Sequence, residues 1–477
     1  MSVLWTIDDF LAGTHGRPVG DMPEEITGIS IDSRTIEKGH AFFAIKGDNF
    51  DGHKFVRAAA LAGAAVAIIS ESKLASLGAV ALPLIVVSDV LESLELLGHA
   101  ARIRSHAKIV AITGSVGKTT TKEMMRVALS ASGTVHASVA SFNNHWGVPI
   151  TLARMPADVD YAIFEIGMNH ANEITPLVNM VRPHVALITN VAAAHLGSFK
   201  NISEIAKAKA EIFSGLSASG TAIINHDNPH LRLLKMRAKK AGVKNMLTFG
   251  DNKKANFRVR SVKRSPERTE VEAVIAGEKI DFTLYVNGAH MIANALAVLG
   301  VSSVLGADVQ KSATALAGVA AEQGRGQRHL IKLSNGILTI IDDAFNANTA
   351  SMEAGLAMLG ECEPAKRGRR IAVLGDMLEL GAFSKELHEK LVEPIVTNDI
   401  DQVFMVGEEM LALKDVLPNE RFGGHFDSVV ELQSKLLKTL HGGDVVIFKA
   451  SKGLKFVPLV EKVVEAFKKK ATEVIDS

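Results

Sequence analysis

The stretch Ile109-Val-Ala-Ile-Thr-Gly-Ser-Val-Gly-Lys-Thr-Thr120 decides the fold, because an apolar run meets a glycine turn and a lysine. It predicts a buried strand and then a helix whose N-terminal N–H groups face an anion. Lys118 would add charge at the β- and γ-phosphates, and the Thr119 hydroxyl can bind Mg²⁺. Ile112 replaces the first glycine of the commonest motif, and the alternative is a turn that binds nothing. We therefore predict an ATP or GTP site built from Thr113, Gly114, Ser115, Val116, Gly117, Lys118, Thr119 and Thr120.

Composition restricts the class of protein. The 477 residues predict about three domains, and 47% are hydrophobic. Because 53 Lys and Arg face 52 Asp and Glu and aromatic residues make up 5%, we expect no nucleic-acid partner. The longest apolar run, 58–69, is too short to cross a membrane, and the N-terminus lacks a signal-peptide pattern. A single cysteine, Cys362, suits a reducing compartment. From these three observations we expect no membrane insertion and a cytoplasmic location.

Alternating strand and helix patterns predict an α/β fold with three domains. These are a small N-terminal α/β domain (1–107), a central domain with a mostly parallel sheet and helices on both faces (108–322), and a Rossmann-like C-terminal domain (323–477). The glycine-rich stretch 324–328 is a candidate hinge, and 251–281 is a candidate antiparallel edge or insertion. The predicted strands are 29–34, 41–45, 65–70, 84–87, 161–165, 185–189, 221–225, 337–341, 371–374, 403–406 and 445–448.

Several polar residues end or follow predicted strands, where active groups of parallel sheets gather. Glu165 suits a second Mg²⁺ ligand or is an ordinary exposed carboxylate, and His195 is a candidate ligand or a surface histidine. Lys207 and Lys209 point about 200° apart on a helix, so at most one faces the site, and both are otherwise solvated. The Asp342-Asp343-Ala-Phe-Asn-Ala-Asn348 stretch could bond a ribose or serve as a turn and helix cap.

Together these motifs resemble the ATP-dependent Mur ligase family over essentially the whole chain. The matching segments follow in family order and include Asn143-Asn144, Glu165-Ile-Gly-Met-Asn-His170, Asn190-Val-Ala-Ala-Ala-His195-Leu-Gly197 and Ala206-Lys-Ala-Lys-Ala-Glu-Ile-Phe213. Asp342–Asn348 with Ser351, and Leu374-Gly-Asp-Met-Leu-Glu-Leu-Gly381, resemble members that add D-alanyl-D-alanine to a UDP-N-acetylmuramoyl tripeptide. Phe345 stands where those members usually have tyrosine, and many members have Asn where this chain has Val116.

The resemblance implies roles for individual residues. Lys118 would hold phosphates, Thr119 and Glu165 one Mg²⁺, and His195 a second, with Lys209 as the carbamylated lysine. Asn294 would approach adenine, Asp343 the ribose, and a linker arginine the phosphates, with Arg328 favoured over Arg325 by its distance to Asp343. Ser33, Arg34, Lys46-Gly47-Asp48 and Asp51-Gly-His53 would hold the uridine-diphosphate sugar. Further substrate-binding candidates are Asn143, Asn144, His170, Asn346, Asn348, Asp376, Lys449 and Ser451.

The implied activity is the ATP- and Mg²⁺-dependent joining of these two small-molecule substrates through an acyl phosphate, by a monomer. A related ligase that adds one amino acid, or glutamate to a folate, is the nearest alternative. A nucleotide-dependent regulatory protein is a more distant one, and it would not need the Glu165, His195 and lysine group.

Overall fold

The computed structural model describes residues 3–47, 50–265, 268–286 and 288–475. The chain forms three successive α/β units, each with its own sheet, and a small β-ribbon at the N-terminus. The sheets are mostly parallel, so the predicted α/β class is confirmed. None of the helices within the described ranges combines the length and the apolar character needed to cross a membrane.

The first unit is built around a sheet in the order β2-β7-β6-β5-β4, in which only β2 runs antiparallel to its neighbour. The predicted strand 29–34 is wrong beyond Ser30, because the Asp32 carboxylate accepts from Arg34 N and starts a 3₁₀ turn at Ser33–Thr35. The elements are β1 (Trp5–Thr6), α1 (Ile7–Thr14), β2 (Arg17–Val19), β3 (Glu25–Ile26), β4 (Gly28–Ser30), β5 (His40–Phe43), α2 (Val56–Leu61), β6 (Val66–Ser70), α3 (Glu71–Leu77), β7 (Leu84–Val87) and α4 (Val90–Arg104).

The second unit carries a sheet in the order β16-β15-β14-β13-β12-β11-β8-β10-β9. Its strands are parallel from β9 to β14, and β14, β15 and β16 form the antiparallel edge that the charged segment 251–281 predicts. The elements are β8 (Lys108–Thr113), α5 (Lys118–Ser130), β9 (Val135–Ala137), α6 (Gly147–Ala153), β10 (Tyr161–Glu165), α7 (Ile174–Val181), β11 (Val185–Ile188), α8 (Ile202–Lys209), β12 (Thr221–Asn225), α9 (Leu231–Lys240), β13 (Asn245–Gly250), β14 (Phe257–Arg264), β15 (Thr269–Ile275), β16 (Glu278–Leu284), α10 (Ala289–Val304) and α11 (Val309–Ala315).

Alternate residues of the central strands supply two separate cores, because the sheet is covered on both faces. Ile109 and Ala111 of β8 pack with α6, α7 and α8, whereas Val110 and Ile112 pack with α5 and α10. A strand buried on both faces reads as a continuous apolar run, which is the pattern of residues 109–112.

The third unit has a sheet in the order β17-β18-β22-β19-β20-β21, with β17 antiparallel to β18. The four predicted strands are confirmed, and β17 and β21 are additional. The elements are β17 (Gln327–Leu333), β18 (Gly336–Asp342), α12 (Thr349–Gly360), β19 (Arg370–Gly375), α13 (Ser384–Glu389), α14 (Val392–Thr397), β20 (Gln402–Val406), α15 (Leu411–Val416), β21 (Phe422–Phe426), α16 (Val429–Thr439), β22 (Val445–Lys449) and α17 (Phe456–Ile475).

The position of the site follows from the strand order of the central sheet. The chain leaves β8 through α5 for β9 and β10 on one side, and then crosses to β11 on the other side. Ligands of open parallel sheets bind at the carboxyl ends of the strands, at the point where the order reverses. The loop 113–117 therefore opens at this switch point.

Candidate active site

The loop after β8 has the geometry of a phosphate cradle. Gly117 has a φ of +81°, a left-handed conformation that favours glycine, and α5 begins at the next residue, Lys118. The Lys118 ammonium donates to Gly114 O at 2.8 Å, so the side chain folds back across the loop. Burial lowers the pKa of Lys118, and the Glu165 carboxylate partly opposes that effect. The N-terminus of α5 and this ammonium together provide a positive site for phosphate.

The loop is fastened to the end of β11. Thr189 Oγ1 donates to Val116 O at 2.6 Å, and Ser115 N donates to Asn190 O at 2.8 Å. Ser115 Oγ also donates to Ala192 O at 2.9 Å and accepts from Ala192 N at 3.0 Å. Sequence reasoning missed Thr189 as a loop partner, although its position at the end of a buried strand is the signal that could have found it.

A cleft of about 700 Å³ opens above the loop, between the central and third units. This volume is in the range of ordinary small-molecule sites. Residues of both units line it, including Ser115, Val116, Gly117, Lys118, Thr119, Thr120, Asn143, Glu165, His195, Asn294, Arg325, Asp343, Phe345, Asn346, Asn348, Ser351 and Lys449.

Glu165 has a free carboxylate oxygen beside the loop. Its Oε1 accepts from Asn143 Nδ2 at 2.7 Å, whereas Oε2 is buried without a hydrogen-bond partner in the described residues. The described residues hold no group of three or more His, Cys, Asp or Glu side chains placed for a metal ion. Mg²⁺ is commonly held by one or two carboxylates together with phosphate oxygens and water. The orphaned Glu165 oxygen and the Thr119 hydroxyl therefore fit such an ion.

The two helix lysines of α8 have opposite environments, as their spacing predicts. Lys207 is exposed, whereas Lys209 is 2% exposed. Burial lowers the pKa of Lys209 well below its ordinary value, and the nearby Lys118 ammonium lowers it further. An amine in this state is more often neutral at physiological pH than a solvated lysine is.

His195 adopts a left-handed backbone conformation, with φ at +57°, in the loop after β11. Its Nδ1 lies 2.5 Å from Glu379 Oε2 of the third unit, and its ring lines the cleft. Burial lowers the pKa of His195, and the Glu379 carboxylate opposes that shift. Glu379 lies inside one of the segments that carry the family resemblance, but no sequence pattern pairs it with His195.

Of the two linker arginines, Arg325 lines the cleft, whereas the sequence favoured Arg328. The Arg325 guanidinium donates to Thr119 Oγ1 at 3.1 Å and lies 4.0 Å from the centre of the Phe345 ring. Arg328 belongs to β17, and its guanidinium donates instead to Cys362 Sγ. A count of residues to Asp343 misled the prediction because β17 pairs back along β18, away from the cleft.

The segment after β18 forms the opposite wall. Lys449 Nζ donates to Asp343 Oδ2 at 2.6 Å and to Asn346 O at 3.2 Å. Asn348 and Ser351 form a capping box at the start of α12, so the alternative reading of Asn348 as a helix cap is correct. Asn348 Nδ2 also donates to Ser115 O at 3.3 Å, which joins this wall to the phosphate loop.

Helix α10 supplies the third side of the cleft. Asn294 lies against the loop, since a Cβ added at Gly117 would stand 3.1 Å from Asn294 Oδ1. Asn294 Nδ2 is buried without a partner in the described ranges, which leaves an amide donor beside the cleft. His290 lies one turn earlier and also lines the cleft, although the sequence analysis did not identify it. Its i, i+4 spacing from Asn294 is the signal that was available.

Two predicted residues of the third unit do not line the cleft. Asp376 Oδ1 accepts from Met410 N at 3.0 Å, and Ser451 Oγ accepts from Leu378 N at 2.9 Å. Both side chains therefore hold neighbouring loops of their own sheet, and a contact with substrate stays a prediction for them.

The remaining candidates are also outside the cleft lining. His170 is exposed beside Glu173, and Asn144 Oδ1 accepts from Gly147 N at the start of α6. The N-terminal candidates form a separate surface, in which Arg34 pairs with Asp32 and Asp51 pairs with both His53 and Lys73. Ser33, Lys46 and Gly47 belong to the same unit, and Asp48 lies outside the described residues.

Comparison with known proteins accounts for all three units. Residues 25–102 match the model "Mur ligase family, catalytic domain", residues 112–302 "Mur ligase middle domain", and residues 324–452 "Mur ligase, glutamate ligase domain". The UDP-N-acetylmuramoyl-tripeptide–D-alanyl-D-alanine ligase of Rickettsia prowazekii is 35% identical over 91% of this chain and 94% of its own length. The chain belongs to the Mur ligase family. The Escherichia coli enzyme of the same name is 34% identical over 94% of this Mur ligase and 95% of its own length.

Solved structures give the same relationship. Crystal structure I of MurF from Acinetobacter baumannii superposes with a TM-score of 0.83 at 28% identity, covering 97% of this Mur ligase and 99% of that chain. The MurF ligase from Thermotoga maritima in complex with ADP gives a TM-score of 0.76 at 25% identity, covering 94% and 98%.

Proposed function

We propose that this Mur ligase joins D-alanyl-D-alanine to UDP-N-acetylmuramoyl-tripeptide, converting ATP to ADP and phosphate and giving the UDP-N-acetylmuramoyl-pentapeptide. The proposal depends on one observation: the phosphate loop, Glu165, His195 and Arg325 line the same cleft. The printed names of relatives that match over most of their length support the choice of substrates.

The chemical problem is that a carboxylate is a poor acyl donor. In the proposed reaction the terminal carboxylate of the tripeptide attacks the γ-phosphate of ATP, and an acyl phosphate and ADP result. Lys118 and Arg325 line the cleft and would offset the repulsion between the carboxylate and the triphosphate. Thr119 and Glu165 would hold a Mg²⁺ ion, which supplies further charge neutralisation. The amine of D-alanyl-D-alanine then attacks the acyl carbon, and phosphate leaves.

Lys209 has the environment that the proposed carbamate requires. A neutral amine can take up CO₂ with loss of one proton, whereas an ammonium ion cannot. Burial lowers the pKa of Lys209 and so favours the neutral form. The carbamate would place negative charge close to His195 and to the Lys118 ammonium, both of which interact electrostatically with Lys209. We propose that the buried Lys209 acts together with the cleft residues His195 and Lys118 at the reacting end.

The remaining assignments complete the proposal. Asn294 would contact adenine, and Asp343, held by Lys449, would contact the ribose. Residues 1–107 would bind the UDP-sugar peptide through Ser33, Arg34, Lys46 and Gly47. Asn143, Asn144, His170, Asn346 and Asn348 would contact substrate. Residues 108–322 would bind ATP, and residues 323–477 would carry the nucleotide and dipeptide side. A cytoplasmic monomer remains part of this proposal.

The deciding experiment measures phosphate release from ATP and Mg²⁺ with UDP-N-acetylmuramoyl-tripeptide, with and without D-alanyl-D-alanine. We expect sustained release only when both substrates are present, and none with Lys118→Ala. Turnover with a single amino acid or a folate instead would retain the ligase chemistry and reject the substrates. Nucleotide binding without amine-dependent turnover would indicate a regulatory protein and reject the proposal.

A further inference from the structure

One residue of the third unit contacts the central unit through both its side chain and its backbone. Glu379 Oε2 lies 2.5 Å from His195 Nδ1, and Glu379 O accepts from Gly197 N at 2.8 Å. The two partners, His195 and Gly197, belong to the loop after β11, which carries the cleft histidine. This contact is separate from the walls of the cleft formed by Arg325 and Asp343.

The loop that carries Glu379 is held firmly from within its own unit. Met377 N donates to His388 Nε2 at 3.0 Å, and Leu378 N donates to Ser451 Oγ at 2.9 Å. His388 is fully buried, and its Nδ1 donates to Ser384 O at 2.8 Å, which leaves Nε2 as an acceptor. Glu379 is therefore presented from a fixed support rather than from a loose loop.

The backbones on the two sides of the contact both adopt an uncommon conformation and lie very close together. Glu379 has a φ of +65° and His195 one of +57°, both in the left-handed region that non-glycine residues seldom adopt. A Cβ added at Gly381 would stand 2.9 Å from Gly197 Cα. The two segments of the chain approach so closely here that a side chain at Gly381 would force them apart. Strained residues that persist in this way are concentrated at functional contacts.

We propose that Glu379 is a positioning residue, which fixes the ring of His195 in the cleft and makes that arrangement depend on contact with the third unit. An imidazole whose Nδ1–H donates to a carboxylate keeps its Nε2 lone pair available to bind a cation or a proton. The orientation of the His195 ring is thus fixed only when the central and third units are in contact. The inference rests on the proposed function in one respect, namely that His195 acts at the reacting end of the cleft.

The test uses Glu379→Gln, which removes the charge but keeps the backbone bond to Gly197. His195→Gln and the double variant complete a mutant cycle. Glu386→Gln is the matched control, because Glu386 is an exposed glutamate of α13 that pairs with Lys390 across one helix turn. Mn²⁺ binding to each protein is titrated by electron paramagnetic resonance in the presence of ADP. Steady-state kcat and KM for the UDP-muramoyl tripeptide are then measured.

We expect Glu379→Gln to weaken Mn²⁺ binding and lower kcat by about 10-fold or more, with the tripeptide KM within twofold of wild type. In the His195→Gln background the same change should have no further effect. Glu386→Gln should match wild type. The thermal midpoint of Glu379→Gln should stay near that of wild type, because Glu379 is largely exposed in the pair.

Two outcomes would overturn the inference: wild-type Mn²⁺ affinity and kcat in Glu379→Gln, or losses from the two single variants that simply add in the double variant. The Mn²⁺ titration contains no peptide substrate, so an error in the proposed substrates would leave its result intact. If the enzyme ligates D-alanyl-D-alanine normally but the mutant cycle shows no coupling between Glu379 and His195, this inference is rejected and the proposed function stands.

Discussion

Gly114→Ala tests whether the phosphate loop is pressed against β11 as closely as the structure indicates. The added Cβ would stand 1.9 Å from Thr189 Oγ1 and 3.2 Å from both Asn190 N and Asn190 O. Thr189 is buried and its hydroxyl is bonded to Val116 O, so it cannot rotate away without losing that bond. Overpacking and the lost hydrogen bond together should cost about 2–4 kcal/mol of unfolding free energy.

The loop or Thr189 must move by about 1 Å to accept the methyl group, and misplacement of that size near reacting atoms can lower turnover about 100-fold. We expect the thermal midpoint, measured by circular dichroism, to fall by roughly 5–12 °C for a unit of this size. Isothermal titration should show weaker ADP binding. Gly318→Ala is the matched control, because an added Cβ there meets nothing within 4 Å.

A second substitution can relieve the clash between the new methyl group and Thr189 Oγ1. Thr189→Ala removes the atom that the new methyl group would meet, so Gly114→Ala should cost much less in that background. A coupling of about 1–3 kcal/mol between the two positions is expected. Wild-type stability and ADP affinity in Gly114→Ala, or the same loss with and without the Thr189 side chain, would refute the close contact.

Three further predictions concern other parts of the molecule. Lys209→Ala should lose phosphate release and partly regain it with small carboxylic acids, whereas exposed Lys207→Ala should stay active; the reverse pattern would show that the wrong lysine is assigned. Lys449→Met should lower urea-monitored stability by about 1–3 kcal/mol, since it leaves the Asp343 carboxylate unpaired; an unchanged midpoint would mean the 2.6 Å pair contributes nothing. Burial lowers the pKa of His136 to about 4, so the unfolded chain takes up a proton there first as pH falls below 6.5. Stability should therefore drop by about 2 kcal/mol between pH 7 and pH 5 and recover as pH rises, and His136→Gln should flatten that part of the profile.

The central unit is the part of the fold most accessible from sequence. Strands buried on both faces have uninterrupted apolar runs, so β10 and β12 were predicted with the bounds the structure has. The edge strands β17 and β21 were missed. Their residues are half-buried and include Gln327, His329 and the Gly423-Gly424 pair, which resemble a loop.

The residues of the candidate site also fall into two groups, those that the local sequence predicts and those that it does not. Glu165, which ends β10, and Lys118, which begins the helix after β8, were placed by the strand pattern and the glycine motif. Pairs that depend on docking between units were not, because Glu379 and His195 are 184 residues apart in sequence. The preference for Arg328 did not anticipate that Arg325 lines the cleft, since linear distance does not say in which direction a strand leads. Whether the chosen residues perform the proposed roles remains a prediction.

The hydrogen bonds from Arg325 to Thr119 and from Asn348 to Ser115 give the proposed triphosphate pocket a roof that belongs to a different unit from its floor. Each is a single contact of about 1 kcal/mol, and the contact of Glu379 with His195 and Gly197 adds to them, so lifting the roof costs a few kcal/mol. In the proposed reaction every catalytic cycle needs a shelter for a hydrolysable acyl phosphate and then an exit for three products. A roof held by a few weak contacts serves both needs, and the frequency with which it lifts sets an upper limit on turnover.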